Sequence, residues 1–218
     1  MRLAGGESVT EGHNTLLFFA AALAVAVTPG PGIFYVAART LAAGRSEGTA
    51  STVGTGLGGL VHVIAGAVGV SALVMASAEA FAVLKLAGAA YLIWLGIKTF
   101  RTAGQATFVL DTESSGWRQA FREGVVVEAL NPKTAAFFLA FIPQFVDPAH
   151  GGVAAQFVAL GLVSVLLNTL ADVVVTFLAS NVRGSLLGRP RLIRRLREGS
   201  GMVLCGLGAT LALARRPA

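Results

Sequence analysis

The chain has 218 residues, of which 55% are hydrophobic and only 13% are charged, with 27 glycines. An ordinary soluble domain carries about 25% charged residues, so this composition excludes a disordered protein, a coiled coil and a typical soluble enzyme domain. The single cysteine, Cys205, excludes a disulfide framework and an all-cysteine metal site. The net charge of +6 does not point to nucleic acid, because the basic residues lie in gaps between apolar runs.

Six apolar runs follow one another along the chain. A helix needs about 20 residues to cross about 30 Å of hydrocarbon. No run alternates with period two, so helices are the only spanning structure left. The sequence predicts an all-α membrane protein with six transmembrane helices, at 15–41, 49–75, 81–100, 121–145, 153–180 and, in a short last run, 201–213.

The first run could also be read as a signal peptide, because its length suits one and residues 24–26 resemble a cleavage site. The segment before it holds Glu7 and Glu11 beside its one arginine, Arg2, and the apolar run resumes after two prolines. We therefore expect a retained helix.

Lysine and arginine in the connecting segments predict the orientation in the membrane. The odd-numbered loops hold twelve basic residues and the other side holds three. We expect a bacterial plasma-membrane protein with odd loops in the cytoplasm and both termini outside. Its predicted parts are a tail (1–14), a six-span domain (15–213) with halves at 15–100 and 121–213 joined by a linker (101–120), and a C-terminal tail (214–218).

The first and fourth runs are interrupted by proline in a similar way. Residues around the two interruptions are identical at an offset of 103 positions, among them Ala26 and Ala129, Pro29 and Pro132, and Phe34 and Phe137. Three spans per half would place the halves in opposite orientations. The pattern therefore predicts a 3+3 inverted repeat with broken first and fourth helices, which is typical of secondary transporters.

Each interruption is predicted to start a half-helix inside the membrane. Thr28 would cap one half-helix with Pro29 at its first position, and Asn131 and Pro132 would do the same in the other. Free N–H groups and the positive end of each dipole would then attract an anionic group such as a substrate carboxylate. The alternative is a plain proline kink without a ligand; two matching breaks favour the binding site.

Four ionisable residues within the runs are candidates for function: Lys85, Glu128, Lys133 and Asp172. A charge at the centre of a spanning helix costs about 2.5–3.5 kcal/mol, which suggests function. Asp172 shares a helix face with Asn168, and Glu128 and Lys133 are close enough in sequence to pair. Two interpretations stand: an ion pair that locks the halves, or a carboxylate, Asp172 or Glu128, that binds a substrate amine or carries a proton. Lys85 lies near a span end, where its amine can reach the interface.

Three further features have both a structural and a functional interpretation. His62 is expected to be a hydrogen-bonded structural residue rather than a proton carrier. Gly54 and Gly58 form a close-approach motif that suits ordinary helix packing and could press the second helix against the broken first helix. Pro190 could start a short basic amphipathic helix on the anionic leaflet; a solvated basic loop is the alternative.

Enzyme and metal readings find little support. The three histidines lie in different segments, and no HExxH, GxSxG or Walker A motif is present. We expect no catalytic residues, no metal site and no cofactor.

Five motifs in order along the chain resemble the lysine-exporter (LysE/RhtB) family of amino-acid efflux proteins. The resemblance covers about residues 16–213. Its motifs are the TPGPG run from Thr28 to Gly32, including Gly30 and Pro31; Gly44, Arg45 and Gly48 followed by Gly54, Gly58 and His62; the run from Lys85 to Lys98; Asn131-Pro132-Lys133 with Pro143-Gln144-Phe145; and Asp172.

This resemblance implies a proton-driven exporter of amino acids or related metabolites that works by alternating access. The expected site comprises Thr28, Pro29, Gly30, Pro31, Glu128, Asn131, Pro132, Lys133 and Asp172, with Asp172 or Glu128 coupling protons. Expected partners are an amino-acid substrate and membrane lipid, with no nucleic acid; a homodimer is the candidate assembly. The alternatives are export of another small solute or a metal cation, and a non-transporting membrane interaction protein.

Overall fold

The computed structural model describes residues 5–76, 78–105, 114, 116–181 and 190–213, and its long regular elements are all helical. The α-helices in chain order are α1 (Gly5–Val27), α2 (Pro31–Ala43), α3 (Arg45–Ala76), α4 (Ala78–Arg101), α5 (Trp117–Ala129), α6 (Pro132–Ala136), α7 (Val153–Asn181) and α8 (Pro190–Leu213). The predicted all-α class is confirmed. Residues 106–113 and 115 of the predicted linker, and the whole C-terminal tail, lie outside the described residues.

Within the described residues, four stretches are long and apolar enough to cross a membrane: Arg45–Gly69, Ala82–Arg101, Trp117–Phe145 and Val153–Asn181. Helices α1 and α2 form a fifth if Thr15–Val27 and Pro31–Ala43, bent by 43°, are taken as one broken span. Five of the six predicted runs therefore have a counterpart. The sixth does not qualify by length and composition, so six spans stay a prediction.

The sixth run is part of α8, a single helix of 24 residues. Pro190 does start a helix, but this helix continues without interruption into the predicted sixth run, so the idea of a separate short helix is wrong. Arg191, Arg194 and Arg195 are exposed on its first half. Helix α8 is not among the stretches apolar enough to cross a membrane, although its second half is apolar.

The second half of α8 packs against α4 at very short range. A β-carbon at Gly96 would lie 2.6 Å from the carbonyl oxygen of Gly201, and one at Gly208 would lie 2.8 Å from that of Ala89. Glycine removes the side chains that would hold the two backbones apart. This contact fixes α8 to the bundle.

Helix α7 has its polar residues inside and its apolar residues outside. Ser164, Asp172 and Thr176 are buried, whereas Leu166 and Val174 are more than half exposed. A helix in water has the reverse pattern, whereas a lipid-facing helix has this one, because its exterior contacts hydrocarbon. The pattern places a polar interior at the centre of an apolar bundle.

Glycines also bring α3 against α5. A β-carbon at Gly58 would lie 2.5 Å from the carbonyl oxygen of Val125, and one at Gly54 would clash with the carbonyl oxygen of Phe121. The predicted close approach is confirmed, but its partner was wrong. These glycines face the first half of the fourth run rather than the broken first helix.

The corner between α2 and α3 is a single residue. Gly44 has φ +85°, a conformation that favours glycine, and its N–H donates to the carbonyl of Thr40. The chain therefore reverses tightly enough for α2 and α3 to pack side by side.

The core is an aromatic cluster around the end of the fourth run. Residues 137–141 continue α6 as a π-helical turn and residues 142–145 as a 3-10 turn. Phe137 and Phe141 stack with their ring centroids 5.2 Å apart, and Phe18 and Phe157 are also fully buried. This packing holds the short helix α6 in the middle of the bundle.

Candidate functional site

The first break lies two residues later than the sequence suggested. Thr28 continues the last turn of α1, because its hydroxyl donates to the carbonyl of Ala24 at 2.5 Å. Gly30 is extended and precedes α2, with Pro31 in its first turn. The predicted cap by Thr28, with Pro29 at the first helical position, is therefore wrong. Thr28 ends one half-helix instead of starting the next.

The second break is formed as predicted. The side-chain oxygen of Asn131 accepts a hydrogen bond from the backbone N–H of Lys133 at 3.0 Å, and Pro132 lies in the first turn of α6. Asparagine is a strong N-cap, and proline has no N–H that would need a partner there.

The ammonium group of Lys133 joins the two breaks. Its Nζ donates to the carbonyl oxygens of Val25 and Thr28, both at 2.9 Å, and the side chain is buried. These carbonyls lie at the C-terminal end of α1, where the helix dipole is negative. Lys133 therefore stabilises the end of a helix more than a hundred positions away in sequence.

The carboxylate of Glu128 lies at the opposite helix end. It accepts hydrogen bonds from Asn131 Nδ2 at 2.8 Å and from Thr134 Oγ1 at 2.6 Å. A β-carbon at Gly32, in the first turn of α2, would lie 2.5 Å from its Oε2, so the carboxylate lies beside the positive end of that helix.

Glu128 and Lys133 do not form an ion pair within the part of the chain that the structure describes. The suggestion that they pair is wrong, because each charge is satisfied by hydrogen bonds and by the end of a different half-helix.

Asp172 is buried on α7 and keeps one hydrogen bond. The hydroxyl of Thr55 on α3 donates to its Oδ2 at 2.7 Å. Of the two carboxylates that line the cavity, Asp172 thus has fewer hydrogen bonds than Glu128.

His62 is held by a hydrogen bond, as expected of a structural histidine. Its Nε2 lies 2.8 Å from the carbonyl oxygen of Glu128. That carbonyl belongs to the last turn of α5, where backbone acceptors lack helical partners. The imidazole therefore supports the end of the half-helix that leads to the second break.

The charged residues surround a cavity of about 10 Å³ between α2, α3, α5, α6 and α7, which is room for about one water molecule. Four predicted site residues line it: Glu128, Asn131, Lys133 and Asp172. The other lining residues are Gly32, Ile33, Thr55, Gly56, Gly59, Thr134, Val165, Asn168 and Thr169.

Five predicted site residues do not line the cavity. Thr28, Pro29, Gly30 and Pro31 shape the first break, and Gly30 packs against the stem of Lys133, which would lie 3.3 Å from a β-carbon there. Pro132 faces the other side of α6, an apolar groove of about 370 Å³ shared with α4. These five residues thus shape the breaks without lining the cavity, whereas Asn131 does both.

Sequence reasoning missed the contribution of α3. Thr55, Gly56 and Gly59 lie in a helix with no charge near them, and only the glycine-rich run marked it as close-packed. A polar residue between two glycines, Gly54-Thr55-Gly56, was the available signal for a hydroxyl directed at a neighbouring helix.

A second polar cluster lies between α2, α3 and α5, next to the first loop. Arg39 on α2 binds the carboxylate of Glu123 on α5 at 2.5 Å, and Tyr35 donates to the same carboxylate at 3.0 Å. Arg39 also lies 3.8 Å from Glu47 on α3. Glu47 in turn accepts from Ser114 and from the N–H of Gly116, just before α5. This Arg39–Glu123 cluster ties three helices together.

Apolar helices around a buried charged cavity, between two broken helices, define a multi-pass membrane protein. The family model of the LysE type translocators matches residues 23–215. An uncharacterized membrane protein of Vibrio cholerae is 30% identical over 203 residues, which cover 93% of this chain and 98% of that one. No solved structure is a significant match.

Two further relatives have functional names. A homoserine/homoserine lactone efflux protein of Salmonella typhi is 33% identical over 195 residues, covering 88% of this chain and 92% of the relative. A leucine efflux protein of Klebsiella pneumoniae is 26% identical over 202 residues, covering 91% and 94%. The chain belongs to the LysE type translocator family, as the sequence motifs indicated.

Proposed function

We propose that this protein exports amino acids or closely related metabolites across the plasma membrane, in exchange for protons. The family and the names of the two efflux relatives support an amino-acid cargo. The observation that carries the proposal is Asp172, a buried carboxylate with one hydrogen bond, facing a cavity where two broken helices meet. A charge without a countercharge inside a spanning helix is costly, and its presence there therefore points to a function.

The substrate amine binds Asp172 in this proposal. Both oxygens of Glu128 already accept hydrogen bonds, so Asp172 is the carboxylate with acceptor capacity to spare. An ammonium group has three donors, and Lys133 uses two of its own on α1. Its third donor, together with the first-turn amides of α2, is the proposed partner of the substrate carboxylate.

The formal charges of the cavity explain why a proton could replace the substrate. When ionised, Glu128 and Lys133 cancel, which leaves the charge of Asp172 to be balanced. Either the amine of the substrate or a proton on the carboxyl balances it, and the two exclude each other. This competition suits an exporter. The carboxyl of Asp172 releases the substrate amine on the outside, binds a proton there and carries the proton inward.

Transport also requires the helices to move, because a cavity of about 10 Å³ is far smaller than an amino acid. Alternating access is therefore part of the proposal. If the odd loops are cytoplasmic, as the basic residues predict, the Arg39–Glu123 cluster lies between the cavity and the cytoplasm. It would have to open for a substrate to load.

The test is export by the variant Asp172→Asn, compared with Asp147→Asn as a matched control in an exposed loop. Intracellular amino-acid pools are measured in cells that express each form or an empty vector. We expect the native protein and Asp147→Asn to lower at least one pool, and Asp172→Asn to leave every pool at the empty-vector level while inserting normally. A protonophore should abolish export by the native form.

Pools that the native protein does not change would overturn the proposed function. Normal efflux from a well-expressed Asp172→Asn variant would remove Asp172 from the mechanism. Export that persists undiminished with the protonophore would exclude proton exchange while leaving the cargo assignment in place.

A further inference from the structure

Seven of the eight polar side chains that line the cavity are engaged in hydrogen bonds. Thr55 donates to Asp172, Asn131 and Thr134 donate to Glu128, Lys133 donates to two carbonyls, and Thr169 donates to the carbonyl of Val165. The eighth is Asn168. Its side-chain amide has no hydrogen-bond partner among the residues that the structure describes.

Asn168 lies on the most apolar of the candidate spanning helices, where an amide without a hydrogen-bond partner is unexpected. Helix α7 has a mean hydropathy of 2.2 over its span, the highest of the candidates. Its other interior polar groups are bonded within the protein, Ser164 to the carbonyl of Leu160 and Thr176 to Thr52. Asn168 is only partly buried, so its amide is open to the cavity and able to bind a group that enters it, which the bonded side chains beside it are less able to do.

The position of Asn168 relative to Asp172 suggests what the amide serves. The two residues are four apart on one helix, so their side chains share a face about 6 Å apart along the axis. An α-amino acid that places its amine on Asp172 and its carboxylate toward Lys133 and α2 has its side chain left to place. Asn168 and Val165 line the same cavity, one helical turn from Asp172, so they are the candidates to contact that side chain.

We propose that Asn168 determines substrate specificity by hydrogen bonding to a polar group in the side chain of the exported amino acid. An amide both donates and accepts, so it suits a hydroxyl or a carbonyl two or three bonds from the α-carbon. This inference rests on the proposed function and adds the class of side chain. A site built around a hydrogen bond discriminates against an isostere that lacks the polar group, because its own group is then left unpaired.

The test uses L-homoserine and L-norvaline, two amino acids of nearly the same shape. Homoserine has a hydroxyl where norvaline has its terminal methyl group. The full-length protein is reconstituted in liposomes, and counterflow of each labelled amino acid is measured against the unlabelled one. Counterflow needs no proton gradient, so it isolates recognition from coupling. The variants are Asn168→Leu and, as the control, Ser164→Ala, one turn away on the same face with its hydroxyl bonded only within its own helix.

We expect the native protein and Ser164→Ala to prefer homoserine about ten-fold over norvaline. Asn168→Leu should lose this preference. Its homoserine exchange should fall roughly ten-fold, while its norvaline exchange stays within about two-fold of the native rate. An equal fall for both amino acids, or an unchanged preference, would overturn the role of Asn168. If Asn168→Leu is not recovered in folded form, Asn168→Ala is measured under the same criteria. Native protein that exchanges neither these amino acids nor any other would overturn the proposed function itself.

Discussion

At the scale of single residues, the site is organised by two charges that each complete a helix end. Lys133 lies against the carbonyls that end α1, and Glu128 lies against the first turn of α2. Opposite charges at opposite dipole ends are the favourable arrangement. Both groups are therefore stabilised by a helix end. The two charges link the broken helices without forming an ion pair with each other.

Replacing Lys133 by methionine should destabilise the protein. The change leaves the carbonyls of Val25 and Thr28 without their donor and the buried carboxylates without a countercharge, so we expect a loss of about 3 kcal/mol. Thermal unfolding in detergent measures it. Lys98→Met, at an exposed position on α4, is the matched control and should change stability by less than about 0.5 kcal/mol. Equal stability of the two variants would contradict this account.

The same residues show how far sequence reasoning reaches at this scale. Intramembrane charges are rare because they are costly, so Glu128, Lys133 and Asp172 could be selected without a structure. Their partners could not, because Lys133 bonds to carbonyl groups on another helix, and every residue type has a carbonyl. The nearby carboxylate of Glu128 was the obvious partner in sequence and the wrong one.

At the scale of helices, glycine sets the distances on which the site depends. Gly54 and Gly58 let α3 touch α5, and this contact positions Thr55 opposite Asp172. Composition and spacing predicted the close approach. They could not identify the partner helix, because a stripe of small residues allows close approach by any neighbouring helix.

Gly54→Ala should force α3 and α5 apart. Its β-carbon would meet the backbone carbonyl of Phe121, which cannot rotate away, so we expect a loss of about 1–3 kcal/mol. Gly69→Ala on the same helix has no atom within 4 Å of the new β-carbon and should be neutral or slightly stabilising. Chemical unfolding in mixed micelles compares them, and a stable Gly54→Ala protein would refute the close contact.

The position of the first break shows a different limit. A run with two prolines, Pro29 and Pro31, offers two possible helix starts, and each satisfies the same local rule. The choice is made by Thr28, whose hydroxyl and N–H both bond back to the last turn of α1. The second break had one proline after an asparagine and left no such choice.

At the scale of the whole molecule, the Arg39–Glu123 cluster ties α2, α3 and α5 together next to the first loop, and the proposed function requires it to open. Glu123→Gln should favour the form open toward the first loop, because a neutral amide holds Arg39 less strongly. For a pair that is partly exposed we expect about 1 kcal/mol, or a roughly five-fold rise in the open population.

Labelling of a cysteine in the cavity measures this population. Thr169→Cys, in a chain with Cys205→Ala, is exposed to a membrane-impermeant thiol reagent in inside-out vesicles. We expect labelling about five-fold faster with Glu123→Gln and unchanged with Glu198→Gln, which removes a different ion pair, to Arg194. Faster labelling only in right-side-out vesicles would reverse the predicted orientation.

The overall architecture was the easiest part to predict, because hydrocarbon thickness imposes the length of every spanning run. The sixth span was the exception. The apolar half of α8 is short. The rest of the helix is a basic segment, which its hydropathy predicts to be a loop. The inverted repeat stays a prediction that rests on matched breaks.

Lys133 belongs to the second half of the chain, yet its ammonium group is anchored on the backbone of the first. A link of this kind acts as a pivot: two bodies can turn about it but cannot separate there without breaking both hydrogen bonds. Room for a cargo would then be created on the far side of the chamber, where α7 carries Asp172 and Asn168. In the proposed mechanism, the wall that moves to admit the cargo is therefore also the wall that carries the proposed binding residues.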